Sequence, residues 1–429
     1  ASGSTKFTIA NSGAVTSVVN DATTNAITDI ITVDHTTSGT AANNIGTGIL
    51  FRTEDSGGNT ENAGRISGIL ANATNGSEQS ALTFDTRGVI FVSDVGTFST
   101  TSQGQLPAIL SDSTLEKATI GGTQYVYVMT GCTTNCASGT SIVYKSTIDT
   151  SGNLGTFATT SQGQMPATFY GQTSVTASIG GTQYIYAITG YSPSLSGQSQ
   201  STVYKATIDS SGNIGTFSTT SQAQMSQVRY QAKAVTASIG GTQYIYVLGG
   251  DGSINGSADS RSTVYKATID SSGNVGTFAT TSQAQLPTII FSHNAVTTSI
   301  NGTQYIYSMG GISTWPTVVS TLYKATIDSS GNVGTFATTG QGQLPATLRL
   351  LTSSIVSIGG TQYLYVIGGT TGSIVSTVYK ATIDSSGNVG TFATTSQAQL
   401  PQVLRSSVLT TGSTGGTSYI YYIGGSNGS

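Results

Sequence analysis

An all-β chain built from a repeating sheet unit is predicted by three observations. The tripeptide Gly-Thr-Phe recurs with its glycine at Gly96, Gly155, Gly215, Gly276, Gly334 and Gly390, at intervals of 56 to 61 residues. Each interval holds short runs of Tyr, Ile, Val and Thr separated by Gly, Asn and Ser, the alternation of strand formers and turn formers. Charged residues are 8% of the 429, the net charge is −3, and 55 residues are glycine. Soluble domains usually carry roughly 25% charged residues, so the composition is that of a large, neutral, Gly/Ser/Thr-rich β protein.

Each unit reads as four short strands, a to d. Strand a follows a Leu-Pro or Met-Pro, as at Leu106-Pro107, Met165-Pro166 and Leu400-Pro401, with Met225-Ser226 the exception. Strand b is the Tyr-Ile-Tyr run, apolar on both faces (Tyr244 to Leu248), which marks burial on both sides. It usually ends in a glycine pair, Gly249-Gly250, Gly310-Gly311, Gly368-Gly369 and Gly424-Gly425. Strand c alternates, Tyr204, Ala206 and Ile208 on one face and Val203, Lys205, Thr207 and Asp209 on the other. The Asp-Ser-Ser-Gly-Asn linker supplies the residues that tolerate a tight hairpin, and Gly-Thr-Phe opens strand d. Four-stranded antiparallel units repeating every 40 to 60 residues are the signature of a β-propeller.

The repeats resemble those of kelch-type propellers. Tyr246 with Gly249-Gly250, Tyr265, Phe278 and Pro287 stand where a kelch unit carries its strand-b Tyr and Gly-Gly, its strand-c Tyr, its strand-d aromatic and its Pro. Phe replaces the usual Trp, and Thr-Gly replaces Gly-Gly at Thr130-Gly131 and Thr189-Gly190. The resemblance spans residues 88–429 and implies a propeller there. Six b strands occur, and the last is followed by only a few residues, ending at Ser429. The run Gly88 to Asp94 precedes Gly96 as strand c precedes strand d elsewhere. Residues 88–99 are therefore expected to close a sixth blade and leave no unpaired edge.

Residues 1–87 lack the repeat. They hold β-like runs at Lys6–Ile9, Ala14–Val19, Ile27–Val33, Gly48–Arg52, Arg65–Leu70 and Ala81–Phe84. The cadence from Ser38 to Gly58 resembles stem segments of phage tail fibres and bacterial surface fibres, which implies an extracellular assembly module; a small β-sandwich is the other reading. Ala1 is expected to be a processed N-terminus. Lys6, Phe7, Thr8 and Ile9 form a candidate strand for donation to a neighbouring copy.

Several chemistries are not expected. The charge rules against a nucleic-acid binder, and no run of 18 apolar residues exists to span a membrane. His35 and His293 are too few for a metal centre or a catalytic triad. Glutamate stops at Glu116, so a paired-carboxylate glycosidase is not expected either. Asp149, Asp209, Asp270, Asp328 and Asp384 repeat as turn caps, and Lys145, Lys205, Lys266, Lys324 and Lys380 repeat as a solvated ladder. Asp251, Asn255 and Asp259 have the alternation of a calcium loop but lack its terminal Glu, so they are a weak calcium candidate. No cofactor is expected. Cys132 and Cys136 are expected to form a local disulfide.

Positions that break the repeat are the better guide to function. At the start of strand a, Ser111, Tyr170, Arg229-Tyr230, Phe291, Arg349 and Arg405 diverge, and His293 and the single Trp315 add further unrepeated groups. Aromatic faces with Arg donors make a candidate carbohydrate or anion platform near one channel mouth; packing within the channel is the plainer reading. The expectation is a non-enzymatic, extracellular fibre subunit that assembles with copies of itself. The alternative is an adhesin or receptor-binding head that reads surface glycans.

Overall fold

The computed structural model describes residues 45–54, 60–72, 79–85 and 94–428, apart from 134–135, 137, 196, 253–259 and 395–396. The chain divides into two compact units, residues 1–91 and 92–429. In the first, Ile45–Glu54, Thr60–Asn72 and Gln79–Asp85 form a three-stranded antiparallel meander, with Ile49 opposite Ile66 and Ile66 opposite Phe84. The expected runs 48–52, 65–70 and 81–84 fall on these strands. The runs at 6–9, 14–19 and 27–33, and with them the donated-strand candidate, lie outside the described residues.

The second unit is all-β and propeller-like. Among the described residues, five three-stranded antiparallel sheets are followed by a two-stranded one, with small two-stranded hairpins in the loops of the second and fourth. Their inner strands are Thr114–Ile120, Thr173–Ile179, Lys233–Ile239, Asn294–Ile300, Thr352–Ile358 and Val408–Thr414. Each inner strand packs on the next, and the sixth packs back on the first. Middle strands such as Thr242–Leu248 are buried because both faces meet neighbouring sheets: Ile245 and Val247 pack toward one neighbour, Tyr246 and Leu248 toward the other.

Strand d departs from expectation. It meets strand c only at isolated bridges, such as Ile148 with Leu154 and Lys145 with Ala158. Two residues lie between the bridges on one side and three on the other, so an extra residue bulges out and interrupts the ladder.

The repeated residues lock each sheet to the next. Tyr127, Tyr186, Tyr246 and Tyr307 are fully buried, and each hydroxyl donates to the carbonyl of the turn glycine in the following sheet, at 2.7–2.8 Å. The sixth-sheet Tyr421 makes the same bond to Gly152 of the first, at 2.9 Å. Gly212 shows why that turn needs glycine: its φ is +72°, and an added Cβ would stand 2.5 Å from the Tyr125 ring. The expected Asp caps are present, Asp209 Oδ1 accepting from Ser211 and Asn213 N–H at 2.8 Å. These backbone bonds, Asn213 first, hold the Asp209 carboxylate below its ordinary pKa. The lysines are more than a solvated ladder. Lys205 lies 5.2 Å above the Tyr184 ring and donates to Asn274 Oδ1 of the next sheet at 2.6 Å, so its ammonium is latched between sheets.

Beside the sixth sheet, residues 94–98 occupy the places of the later turn and strand d. Lys380 pairs with Asp94 where other lysines meet Asn. Val95 N–H donates to Gln397 Oε1 at 2.9 Å, as Ile214 N–H does to Gln162, and Phe98 packs with Leu400 and Ile420. Residues 88–93, the expected strand c, lie outside the described residues.

Candidate functional site

Just before each inner strand the backbone turns through the left-handed region. The φ values are 49° at Asp112, 59° at Gly171, 51° at Gln231, 53° at Ser292, 53° at Leu350 and 54° at Ser406. These six residues form a closed circle of hydrogen bonds, each N–H donating to the carbonyl of the preceding sheet's residue. Gly171 N–H meets Asp112 at 2.8 Å, Gln231 meets Gly171 at 3.0 Å, and Ser292 meets Gln231 at 3.3 Å. Leu350 meets Ser292 at 2.9 Å, Ser406 meets Leu350 at 3.0 Å, and Asp112 meets Ser406 at 3.1 Å. Side chains bridge the circle: Gln231 Nε2 donates to Asp112 Oδ1 at 3.4 Å, and Ser292 Oγ makes a short bond to Gln231 Oε1. Gly171 is needed there, because a Cβ would stand 2.1 Å from the Tyr230 ring.

The channel inside the inner strands holds a pocket of about 300 Å³, lined by Glu116, Ser174, Thr176, Thr236, Thr297 and Ser354 and, in equal number, by Val, Ala and Ile residues. Glu116 replaces the Val175, Val235 and Val296 of neighbouring sheets. Ser174 Oγ donates to its Oε1 at 2.8 Å. Channel space touches the carboxyl, but protein surrounds it closely. Desolvation therefore pushes its pKa up to about 7, against the opposing hydrogen bonds of Ser174 and Thr176.

Burial also raises Asp112, with the Ser406 hydrogen bond and the charges of Lys233 and Arg405 opposing. Lys233, at the start of the third inner strand, is lowered by burial and partly restored by Asp112. His293 is buried with both ring nitrogens unpartnered; desolvation first, and Lys233 second, hold it down to about 3, so it is neutral.

The divergent residues separate into packed and presented groups. Tyr170, Arg229, Phe291 and His293 are buried, so they do not form the open platform expected of them. Arg229 occupies the core position held by Leu110, Phe169 and Leu348 elsewhere. It sits 5.6 Å from the Tyr265 ring, donates to Gln227 Oε1 at 2.8 Å and feels the charge of Asp251. Tyr230 is half-buried, 5.8 Å edge-on to Tyr170. Ser111 pairs with Cys132 inside the first sheet's loop. Trp315 is exposed, and Arg349 lies 5.2 Å over its ring.

Asp251 is buried and accepts from Ser260 Oγ at 3.1 Å; Asn255 and Asp259, the rest of the calcium candidate, lie outside the described residues. Cys132 and Cys136 are joined as a disulfide. Asp112 lies beside them, the one metal-competent grouping among the described residues, with both sulfurs already bonded to each other. No helix among the described residues is long and apolar enough to cross a membrane.

No family model matches the chain. No curated protein matches it. Among solved structures, the chain is similar to a protein named YjhT, at 11% identity and a TM-score of 0.49 over 75% of this chain and 96% of that one. It is also similar to a GH43 enzyme from Xanthomonas citri, at 13% identity and a TM-score of 0.41 over 66% of this chain and 91% of that one. A GH43 β-xylosidase/α-arabinofuranosidase from a compost microbial metagenome aligns at 14% identity and a TM-score of 0.42, over 66% and 94%.

The expectation of a non-enzymatic fibre subunit or adhesin head is corrected at this point on the chemistry of the channel, since likenesses this distant carry no activity across. Its own ground gives way. Scarcity of glutamate does not exclude acid–base chemistry when Glu116 lines the channel with a pKa near neutrality.

Proposed function

We propose that the chain is an extracellular carbohydrate-processing enzyme on a kelch-like, six-bladed propeller whose last blade residues 88–99 complete. Its channel is the active site, and Glu116 is the proton donor. The observation that carries this reading is Glu116 itself, a carboxyl lining a hydroxyl-rich channel pocket with a pKa of about 7. A general acid works best when its pKa lies near the working pH, so that it still holds the proton it must deliver. The Ser and Thr hydroxyls around it both donate and accept, which suits a neutral, polyhydroxylated ligand. The Cys132–Cys136 disulfide favours an oxidising, extracellular setting.

The test is a panel of nitrophenyl glycosides and polysaccharides assayed from pH 5 to 9 with wild type and Glu116→Gln. The expected result is turnover that declines as pH rises past about 7 and a loss of roughly 10²–10⁴ in kcat/KM for E116Q. No turnover of any substrate, or an unimpaired E116Q, overturns the assignment.

A further inference from the structure

Arg349 and Arg405 are equivalent residues of the fifth and sixth sheets, paired with Thr370 and Ser426 after the respective glycine pairs. Each stands one residue before a member of the amide circle, and those members, Leu350 and Ser406, are bonded to each other at 3.0 Å. The two arginines therefore start from neighbouring backbone positions, and Arg349 is lowered first by burial and second by the charge of Arg405. Like charges so placed normally share a carboxylate. Neither arginine forms an ion pair within 4 Å among the described residues. Asp112 lies near Arg405, but burial raises its carboxyl and its hydrogen bonds go to Gln231 and Ser406.

Beside this pair is Trp315, at the tip of the hairpin formed by Ile312–Thr314 and Thr317–Val318. Its side chain is 51% exposed, an unusual state for the largest apolar residue. The Arg349 guanidinium lies 5.2 Å from the ring centroid, a cation–π contact that holds it at the indole while part of the indole stays open. An exposed indole with one guanidinium over it and a second arginine at the equivalent position of the next sheet has the chemistry to hold a pyranose ring that bears an anion. The ring's C–H face lies on the indole, and a carboxylate or sulfate ester accepts from both arginines.

We infer that Trp315, Arg349 and Arg405 form a binding site for an acidic sugar unit, distinct from the channel pocket at Glu116. This goes beyond the reading of the channel, and it stands or falls separately because it concerns binding alone. Trp315 is the single tryptophan of the chain, beside 21 tyrosines, so fluorescence excited selectively from tryptophan reports on this site.

The experiment titrates the full chain, carrying Glu116→Gln so that no ligand is consumed, with trigalacturonate, its methyl ester, a sulfated galactan oligosaccharide and inorganic sulfate. The expected result is a saturable fluorescence change with trigalacturonate or the sulfated oligosaccharide, whichever anion the site prefers. It should weaken with added salt, and at least tenfold on methyl esterification. Arg349→Ala and Arg405→Ala should each weaken binding about tenfold with the melting temperature kept, and Trp315→Ala should weaken it as read by calorimetry. Equal binding of the methyl ester, unchanged binding by either arginine variant, or sulfate ion binding as tightly as the sugars overturns the inference. So does the absence of any fluorescence response with all four probes.

Discussion

The outer and inner edges of the sheets obey opposite rules. At the outer edge the same residues recur in sheet after sheet: a lysine over a tyrosine reaching an asparagine in the next turn, and a tyrosine hydroxyl on a glycine carbonyl. At the inner edge equivalent positions hold Glu116, Val175, Val235, Val296, Ser354 and Thr410. The outer contacts must be made identically each time for the ring to step evenly, so chemistry there is repetitive. The inner backbone closes through amides that any residue possesses, which frees its side chains to differ. Function therefore has room to reside where the repeat fails.

The largest break comes from removing the outer contacts at the seam. A chain beginning at Thr100 lacks Asp94, Val95 and Phe98, and so loses the partners of Lys380, Gln397 and Leu400. Its apolar sixth sheet should aggregate, seen as light scattering and loss of the monomer peak, while a chain beginning at Arg87 should melt cooperatively. Equal solubility and melting of the two would mean that the seam does not depend on these residues.

Arg229 sharpens the inner rule. Arg229→Leu restores the residue that Leu110 and Leu348 provide elsewhere, yet it removes a charge that faces buried Asp251. We expect a loss of about 3 kcal/mol in denaturant unfolding. The double change Arg229→Leu with Asp251→Thr copies the fifth sheet's Leu348 and Thr370, and should recover most of that loss. Failure of the double variant to recover would show that Arg229 has a role beyond neutralising Asp251.

Two titrations distinguish inner positions of opposite sign. Glu116 is raised to about 7 from 4.5, so its contribution to stability is intact below about 4.5 and is lost as pH rises through about 7. Glu116→Gln should therefore melt above wild type at pH 8 and with it at pH 4. His293 is lowered to about 3 from 6.5, so its contribution is intact above 6.5 and is lost as pH falls toward 3. His293→Leu, the residue found at Leu351, should flatten the acid decline and change little at pH 8. Parallel curves for variant and wild type would contradict either assignment.

The smallest effect belongs to a single outer latch. Lys205→Met keeps the chain over Tyr184 but loses the charge and the bond to Asn274. It should cost about 0.5–1 kcal/mol, read as a small shift in the unfolding midpoint.

The repeated edge was open to sequence reading because symmetry writes it several times. The Asp-Ser-Ser-Gly-Asn turns, the buried tyrosine strands and the glycine pairs all stand where their spacing put them. The circle of amides had no such signature: Asp112, Gly171, Gln231, Ser292, Leu350 and Ser406 share a backbone conformation and no residue type. Glu116 was visible as a lone carboxyl, but its significance depends on aligning it with the valines of other inner strands, one turn of reasoning past the divergent residues at the strand start. Arg229 and His293 were visible as exceptions too. That they point into protein rather than out of it depends on packing, which a pattern of letters does not contain.

The amide circle also bears on how such a chain can change over generations. Nearly identical repeats invite unequal crossing-over, which would add or remove whole units at the level of the gene. A circle in which every N–H already meets the preceding sheet's carbonyl at 2.8–3.3 Å admits an extra member only by opening one join and changing the angle between sheets at all the others. Recombinants with a unit more or fewer would thus be discarded at folding, and variation would be channelled into the side chains that hang from the circle.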